Sequence, residues 1–259
     1  MASAYHQWPT PKELPLLTQG GLLVWLADID LGPEQAQMLW ILLTDDEKQK
    51  AQRYYFPTDR DRFICARAQL RLLLGRYLGI GPAHVPILYG QYGKPYLPRN
   101  IATRFYFNVS HSAGLALYAL HRGGEVGVDI EYLRVDTPFN EMASRFFAPE
   151  EYASLCMLPQ DIRMQAFFNA WARKEACVKA MGDGLHIGLS DFAVTLAPDE
   201  PARLLYSNDK RLAPERWHLH ALNVLPGYAA AVALAGDDCI PSCWRYPVEW
   251  CSLTNLSEK

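Results

Sequence analysis

Two acidic residues lie two positions apart in an otherwise apolar stretch, residues 126–132. Asp129 and Glu131 alternate there with Val128 and Ile130, and alternate side chains of a β-strand point to the same face. Two neighbouring carboxylates repel each other unless a positive group lies between them. On an exposed strand face the pair would need no special role, but the apolar neighbours indicate a central strand, where unpaired acids are costly. The pair therefore favours a bound cation.

A third acid, Glu175, lies in a stretch with helical periodicity. Trp171, Glu175 and Lys179 are spaced by four residues, so one helix face carries all three. A Glu and a Lys at this spacing also form ordinary surface pairs, but the tryptophan indicates that the face turns inward. With Asp129 and Glu131, Glu175 would complete a set of hard oxygen ligands of the kind Mg²⁺ takes together with substrate phosphates. We therefore expect a magnesium site and a diphosphate substrate.

Residues suited to binding phosphates lie in the first half of the sequence. Lys94 lies between a glycine and a proline in a predicted turn, and Ser110 and His111 follow a predicted strand. Arg67 and Arg71 lie one turn apart on a long predicted helix. Each has an ordinary structural alternative, as a turn residue, a strand end or a solvated helix face. The loops GxGxxG and GxxxxGK(S/T) are absent, which argues against the common kinases and dehydrogenases.

Composition predicts a soluble globular protein. Of its 259 residues, 50% are hydrophobic and 20% charged, and the formal net charge is −3, so the overall field does not attract nucleic acid or anionic lipid. We find neither a membrane-spanning stretch nor the pattern of a secretion signal. The six cysteines include no CxxC pair and are expected to be buried residues rather than zinc ligands. We expect a cytoplasmic protein that binds neither nucleic acid nor membrane.

Apolar periodicity divides the chain into two series of elements in the same order. The first series has a strand at 22–26, helices at 33–43, from 45 and at 60–77, and strands at 85–89, 105–109 and 115–120. The second has a strand at 126–132, helices at 139–147, 149–157 and 161–181, and strands at 191–196, 217–224 and 228–235. We therefore expect an α+β fold of two similar halves, 1–124 and 125–259, with the active site in the cleft between them. The tail after Gly236 is expected to wrap the surface.

Four ordered motifs resemble the signature of the surfactin-type 4′-phosphopantetheinyl transferases. They are Gly-Lys-Pro at 93–95, Phe-Asn-Val-Ser-His-Ser at 107–112, Val-Gly-Val-Asp-Ile-Glu at 126–131 and Trp-Ala-Arg-Lys-Glu-Ala-Cys-Val-Lys at 171–179. Matched elements extend from about Leu22 to Gly236, and four motifs in order are a specific signal. The resemblance implies a monomer whose two halves are related by a pseudo-twofold axis, with coenzyme A between them.

The resemblance also assigns roles to individual residues. It implies that the magnesium ligands are Asp129, Glu131 and Glu175. It implies that Lys179 contacts the phosphates. The nucleotide and its 3′-phosphate would be bound by Arg67, Lys94, Ser110 and His111. Further phosphate contacts would come from Lys50 and Arg62.

The implied reaction moves the phosphopantetheine arm of coenzyme A onto a serine of an apo acyl or peptidyl carrier protein. Adenosine 3′,5′-bisphosphate leaves. Glu175, directly or through a water, would take the proton of the serine, and Lys179 would stabilise the departing phosphate. The carrier is expected to be acidic near its serine and to be steered by basic residues, namely Lys50, Arg53, Arg60 or Arg62. Apolar side chains of residues 138–147 are a second candidate contact, with core packing as the alternative.

Two other functions remain open at this point. A metal-dependent nuclease also uses paired acids and a lysine at a phosphodiester, although the acidic charge balance and the serine-histidine motif argue against it. A non-catalytic module that binds coenzyme A or the carrier would keep the same fold without turnover.

Overall fold

The structure is a computed structural model that describes residues 8–102, 105–182 and 188–251. The strands are β1 (Leu22–Asp28), β2 (Leu88–Tyr89), β3 (Pro95–Tyr96), β4 (Tyr106–Ser112), β5 (Leu115–His121), β6 (Val126–Tyr132), β7 (Phe192–Val194), β8 (Leu204–Ser207), β9 (Trp217–Ala221), β10 (Tyr228–Ala235) and β11 (Ser242–Arg245). The helices are α1 (Pro33–Leu39), α2 (Asp45–Gln52), α3 (Pro57–Leu78), α4 (Arg99–Ala102), α5 (Phe139–Phe146), α6 (Pro149–Met157) and α7 (Gln160–Met181).

The first sheet has the strand order β11-β1-β5-β4 and packs against α1 and α3. Pro57 is the first residue of α3, a position where proline is favoured because no N–H is needed there. The helix therefore begins three residues earlier than predicted. Gly79 ends it in the left-handed conformation, with φ 70°, which glycine adopts without steric cost.

The second sheet has the strand order β6-β10-β9 and packs against α7. Like α3, α7 has 22 residues and ends at a left-handed glycine, Gly182. The faces of the two sheets that do not contact helices pack against each other and form a third apolar cluster. Its fully buried members include Val24, Leu117, Val128 and Val232. The molecule is therefore built in layers, with the helices outside and the two sheets in the middle.

Each half fastens its long helix with a buried ion pair. Arg71 on α3 bonds Glu47 at 2.6 Å, and Lys174 on α7 bonds Glu151 at 2.7 Å. In both pairs the acid is the third residue of the preceding short helix and also accepts a backbone N–H at the start of that helix. Similar sequence series have therefore produced similar local structures, and the predicted mixed α/β architecture is confirmed.

Several predicted elements differ in extent. The strand predicted at 85–89 is reduced to β2, that at 191–196 to β7, and that at 217–224 to β9, while β8 and β11 were not predicted. No helix among the residues described is both long and apolar enough to cross a bilayer.

The tail after Gly236 was expected to wrap the surface, but part of it is built into the first half. β11 pairs in parallel with β1, at the edge of the first sheet. Tyr246 and Cys251 are each 2% exposed and lie in the core of the first half. Apolar side chains at irregular spacing can be buried as well as periodic ones, and periodicity does not detect them.

Candidate active site

Helix α7 lies unusually close to β6 because of one glycine. A Cβ atom added at Gly127 would be 2.1 Å from the backbone oxygen of Ala176 and 2.4 Å from the nitrogen of Ala180. Only a residue without a side chain fits there. On the neighbouring strand β10, the residues that share this core with α7 are alanines, Ala229, Ala231 and Ala233. This close packing brings the face of α7 that carries Glu175 and Lys179 beside the acidic face of β6.

Asp129 is the centre of a hydrogen-bonded cluster beneath this helix. The residue is 2% exposed, and its Oδ1 accepts hydrogen bonds from Lys179 Nζ at 2.6 Å and from Ser110 Oγ at 2.9 Å. Lys179 Nζ also donates to Ser110 Oγ at 2.8 Å. The second carboxylate oxygen, Oδ2, is buried without a hydrogen-bond partner among the described residues. A buried acceptor of this kind calls for a donor or a cation.

The pKa values of all three carboxylates are raised, mainly by burial. Burial, followed by the nearby Asp129 carboxylate, raises the pKa of Glu131 to about 7. Burial and Asp129 also raise the pKa of Glu175. Burial raises the pKa of Asp129 itself, although Lys179 and Ser110 oppose this effect. Groups that hold their protons more tightly than usual, side by side, are typical of functional sites.

The acids fit a divalent cation by their chemistry, although they are not arranged around one. No group of three or more His, Cys, Asp or Glu residues, within the part of the chain that is described, has the geometry to hold a metal ion. Lys179 contacts Asp129 instead. The unpartnered Oδ2 and the raised pKa values of Glu131 and Glu175 nevertheless fit a hard cation with oxygen ligands. The magnesium set remains a prediction.

A basic cavity of about 310 Å³ lies between the two halves, next to this cluster. Its walls come from α2, α3 and the segment between them, from β3 and the turn before it, and from β4 and α7. They are formed by Lys50, Tyr54, Phe63, Ala66, Arg67, Leu70, Gly93, Pro95, Val109, Ser110, His111 and Lys179. Five of the predicted phosphate contacts are thus brought together.

Arg67 has unused hydrogen-bonding capacity in this cavity. Its side chain is 10% exposed, and Nε and Nη1 have no hydrogen-bond partner among the described residues. Glu47 Oε1 lies 3.6 Å from Nε, which is an ion pair but too far for a hydrogen bond. A buried guanidinium with free N–H groups favours an anion with several oxygens, such as a phosphate.

His111 lies at the solvent side of the same cavity. The residue remains exposed, yet surrounding protein atoms reduce its hydration, and this desolvation lowers the pKa of the imidazole. Three cations lower it further, in the order Lys179, Arg67 and Lys50. The imidazole is therefore surrounded by positive charge, which an anionic ligand would offset.

A second cavity of about 260 Å³ adjoins the first and reaches Glu175. The two share the wall residues Gly93, Pro95, Val109 and Lys179. Lys94 lines it, but its ammonium group donates to the backbone oxygen of Ala180 at 2.6 Å and pairs with Glu125 at 3.0 Å. Lys94 thus fastens the turn before β3 to the end of α7.

Other predicted residues lie elsewhere. Arg71 is committed to its buried pair with Glu47. Arg62 pairs with Asp30 at 2.6 Å and does not line either cavity. The aromatic wall residues, Tyr54, Phe63 and Tyr92, were not among the predicted site residues. For Tyr54, the aromatic string at 53–57 was an available signal.

Comparisons with known proteins place this site in a family. A profile described as "4'-phosphopantetheinyl transferase superfamily" matches residues 125–233, and one described as "4'-phosphopantetheinyl transferase, N-terminal" matches residues 32–122. The 4'-phosphopantetheinyl transferase HetI of Nostoc sp. is 40% identical over 243 residues, which cover 93% of this chain and 99% of HetI. The chain belongs to the 4′-phosphopantetheinyl transferase superfamily.

More distant members of the superfamily match over much of their length. The 4'-phosphopantetheinyl transferase Sfp of Bacillus subtilis is 26% identical over 212 residues, 82% of this chain and 90% of Sfp. Another B. subtilis 4'-phosphopantetheinyl transferase is 29% identical over 172 residues, 66% of this chain and 75% of the relative. The resemblance indicated by the four motifs is thus confirmed. Motifs 93–95 and 107–112 lie in the N-terminal match, and motifs 126–131 and 171–179 in the other.

Proposed function

We propose that this chain transfers the phosphopantetheine arm of coenzyme A to a serine of an apo acyl or peptidyl carrier protein and releases adenosine 3′,5′-bisphosphate. One observation carries the proposal. The acids of β6 and the Glu175–Lys179 face of α7 meet beside a basic cavity between the two halves. Membership of the transferase superfamily supports this function over the nuclease that the acids alone left open.

The phosphates of coenzyme A would satisfy the unpaired donors of the basic cavity. Arg67 offers two buried N–H groups, and Lys50 and His111 line the same space. A phosphate placed there would accept charge-assisted hydrogen bonds from Arg67. Its negative charge would also raise the pKa of His111 again, so that the imidazole could donate as a cation. We assign this group of residues to the 3′-phosphate.

Lys179 and the three acids would act on the diphosphate. Lys179 lines both cavities and can exchange its contact with Asp129 for a contact with a phosphate oxygen. Asp129, Glu131 and Glu175 are the residues that would hold Mg²⁺. Bound there, the ion would offset the negative charge that develops on the diphosphate oxygens. Asp129 and Ser110 hold the Lys179 ammonium group in place until substrate replaces them.

Glu175 is our candidate for the general base. Its carboxylate lines the second cavity beside Lys179, and a carboxylate in that position could accept a proton directly or through a water. It would accept the proton of the carrier serine as the serine oxygen forms a bond to the β-phosphorus of coenzyme A. The bond from that phosphorus to the bridging oxygen breaks, and Lys179 stabilises the charge on the departing bisphosphate.

We propose that an acidic carrier is attracted by Lys50, Arg53 and Arg60. Within 138–147, Phe147 is 3% exposed and stacks on Phe167, so its role is core packing.

The six cysteines, all in described segments, are unpaired thiols, as is common in a reducing cytoplasm. We propose a cytoplasmic monomer whose similar halves, 1–124 and 125–259, are related by a pseudo-twofold axis.

Mass spectrometry of carrier proteins tests the function. The chain is incubated with Mg²⁺, coenzyme A and several apo carriers, and a carrier is expected to gain one phosphopantetheine. Asp129→Ala serves as the folded, inactive control. Plasmid cleavage without a mass gain would point to a nuclease, and carrier or coenzyme A binding without a mass gain would point to the non-catalytic module. Either result would contradict the proposal.

A further inference from the structure

Strands β4 and β6 lie side by side but belong to different sheets. Instead of backbone groups, alternate side chains of β4 accept the N–H groups of β6. Asn108 Oδ1 accepts from Val128 N at 3.0 Å. Two residues further on, Ser110 Oγ accepts from Ile130 N at 3.4 Å. At the end of the strand, Ser112 Oγ accepts from the N–H of the last residue of β6, at 3.0 Å.

Because side chains stand between the strands, β4 and β6 must be farther apart than the roughly 4.8 Å of a continuous sheet. The extra space is consistent with the cavities that open along β4. The bonding partners advance by two residues on both strands, so the strands run in the same direction and are in fixed register. We call Asn108, Ser110 and Ser112 the seam residues.

The two seam serines have a second, repeated contact. Ser110 Oγ donates to Asp129 Oδ1 at 2.9 Å. In the same way, Ser112 Oγ lies 3.4 Å from Glu131 Oε2 and donates to it. Each hydroxyl thus accepts the N–H of one residue of β6 and donates to the carboxylate of the residue before it. A hydroxyl can do both at once, since it has one donor and two acceptor sites.

We propose that Ser112 is a positioning residue for Glu131, in the same relation in which Ser110 stands to Asp129. The inference rests on the proposed function, because it gives Glu131 a place in the cation site. Hydrogen bonds to a ligating carboxylate fix its orientation and are felt in metal affinity. Ser112 fixes the Glu131 carboxylate relative to the backbone of β6. The side chain therefore loses less conformational entropy when a cation binds.

Direct Mn²⁺ binding in the presence of coenzyme A tests the role of Ser112. Ser112→Ala removes the donor, and water can replace it at Tyr132 N because that group is exposed, so the fold should be kept. We expect its Mn²⁺ dissociation constant to rise about tenfold. At saturating metal, kcat should stay within about twofold of wild type, because no reacting group is lost. Ser112→Thr keeps the hydroxyl and should restore binding.

Ser144→Ala is the matched control, since Ser144 lies on the exposed face of α5 and donates to the backbone oxygen of Glu141. It should bind Mn²⁺ as the wild type does. The proposal is overturned if Ser112→Ala binds Mn²⁺ as tightly as wild type, if Ser112→Thr loses as much as Ser112→Ala, or if the wild type binds no Mn²⁺. A wild type that binds Mn²⁺ but modifies no carrier would instead contradict the proposed function alone.

Discussion

At the scale of single residues, the site holds an acid and a basic group with buried atoms that have no hydrogen-bond partner in the described segments. Asp129 Oδ2 and two nitrogens of Arg67 are buried without hydrogen-bond partners among the residues described. Such groups are costly in a folded protein unless a ligand satisfies them. A substrate that carries phosphates, bound together with a divalent cation, would satisfy both sets at once.

His111→Ala should weaken binding of coenzyme A more than binding of dephospho-coenzyme A. The imidazole lies with Arg67 and Lys50 in the basic cavity, which we assign to the 3′-phosphate, and only coenzyme A has that group. Charge-assisted hydrogen bonds contribute about 1.5–3 kcal/mol, so we expect at least about a tenfold loss for coenzyme A. Calorimetric titration of both ligands measures it, and equal losses for both would refute the assignment.

The contribution of Glu131 to the free energy of unfolding of the metal-free protein should decrease as pH rises from about 4.5 to 7. In this window the folded state keeps the proton of Glu131, whose pKa is raised to about 7, while the unfolded state releases it. Since the folded state then binds more protons, its stability decreases with pH. Urea unfolding at several pH values measures this slope.

Glu131→Gln is the control for that experiment, because an amide does not titrate. Between about pH 4.5 and 7, the slope of unfolding free energy against pH should be more positive in the variant than in the wild type. An unchanged slope would mean that the raised pKa of Glu131 does not contribute to the pH dependence of stability.

At the scale of secondary-structure elements, the site depends on how closely α7 approaches β6. Gly127 permits the contact, and the ion pair between Lys174 and Glu151 holds the opposite side of the helix. Because Glu175 and Lys179 lie on the remaining, partly exposed face, their distance from β6 is set by backbone packing rather than by side-chain flexibility. A small shift of the helix would therefore move both groups together.

Gly127→Ala should reduce both stability and transfer. The new methyl group would be 2.1 Å from a backbone oxygen of α7, so the helix must move away, at a cost of about 1–3 kcal/mol in unfolding free energy. Urea unfolding and the carrier mass-shift assay measure the two effects.

Gly90→Ala is the matched control, since its added Cβ would meet its nearest neighbour at an ordinary 3.7 Å. We expect unfolding free energy close to that of the wild type. A Gly127→Ala protein as stable and active as this control would show that the close approach is not required.

At the scale of the whole molecule, the C-terminal segment ties the two halves together. The chain leaves the second sheet after β10 and returns to the first, where β11 extends the sheet beside β1. Tyr246 then packs against Trp25 and Tyr118, and Trp250 lies 5.5 Å from Tyr246, between ring centroids. The first core is therefore completed by residues from the far end of the chain.

Tyr246→Ala should destabilise the whole protein by about 3–5 kcal/mol, as is typical when a large aromatic side chain is removed from a core. Tyr246→Phe keeps the ring and should lose much less. Thermal unfolding of the two variants provides the comparison. Equal stability of Tyr246→Ala and wild type would mean that the returning segment does not contribute to the first core.

The sequence was informative where local pattern determines structure. The bounds of β6, α6 and β10 follow directly from apolar periodicity, and residue types at fixed spacing identified Asp129, Glu175 and Lys179 as neighbours in one site. It was uninformative where structure depends on distant partners. Tyr246 is buried, Lys94 pairs with Glu125, and Arg71 forms an ion pair in the core. All three depend on contacts between segments far apart in the chain, which periodicity does not record.

We propose that Asp129, Glu131 and Glu175 surround one divalent ion at the diphosphate of coenzyme A. Crystals grown with coenzyme A and Mn²⁺ test it most directly through the anomalous scattering of manganese. We predict one strong peak between β6 and α7, within coordination distance of these three acids and of the diphosphate oxygens. A peak elsewhere, or Glu175 directed away from Asp129 with the diphosphate bound, would refute this metal site.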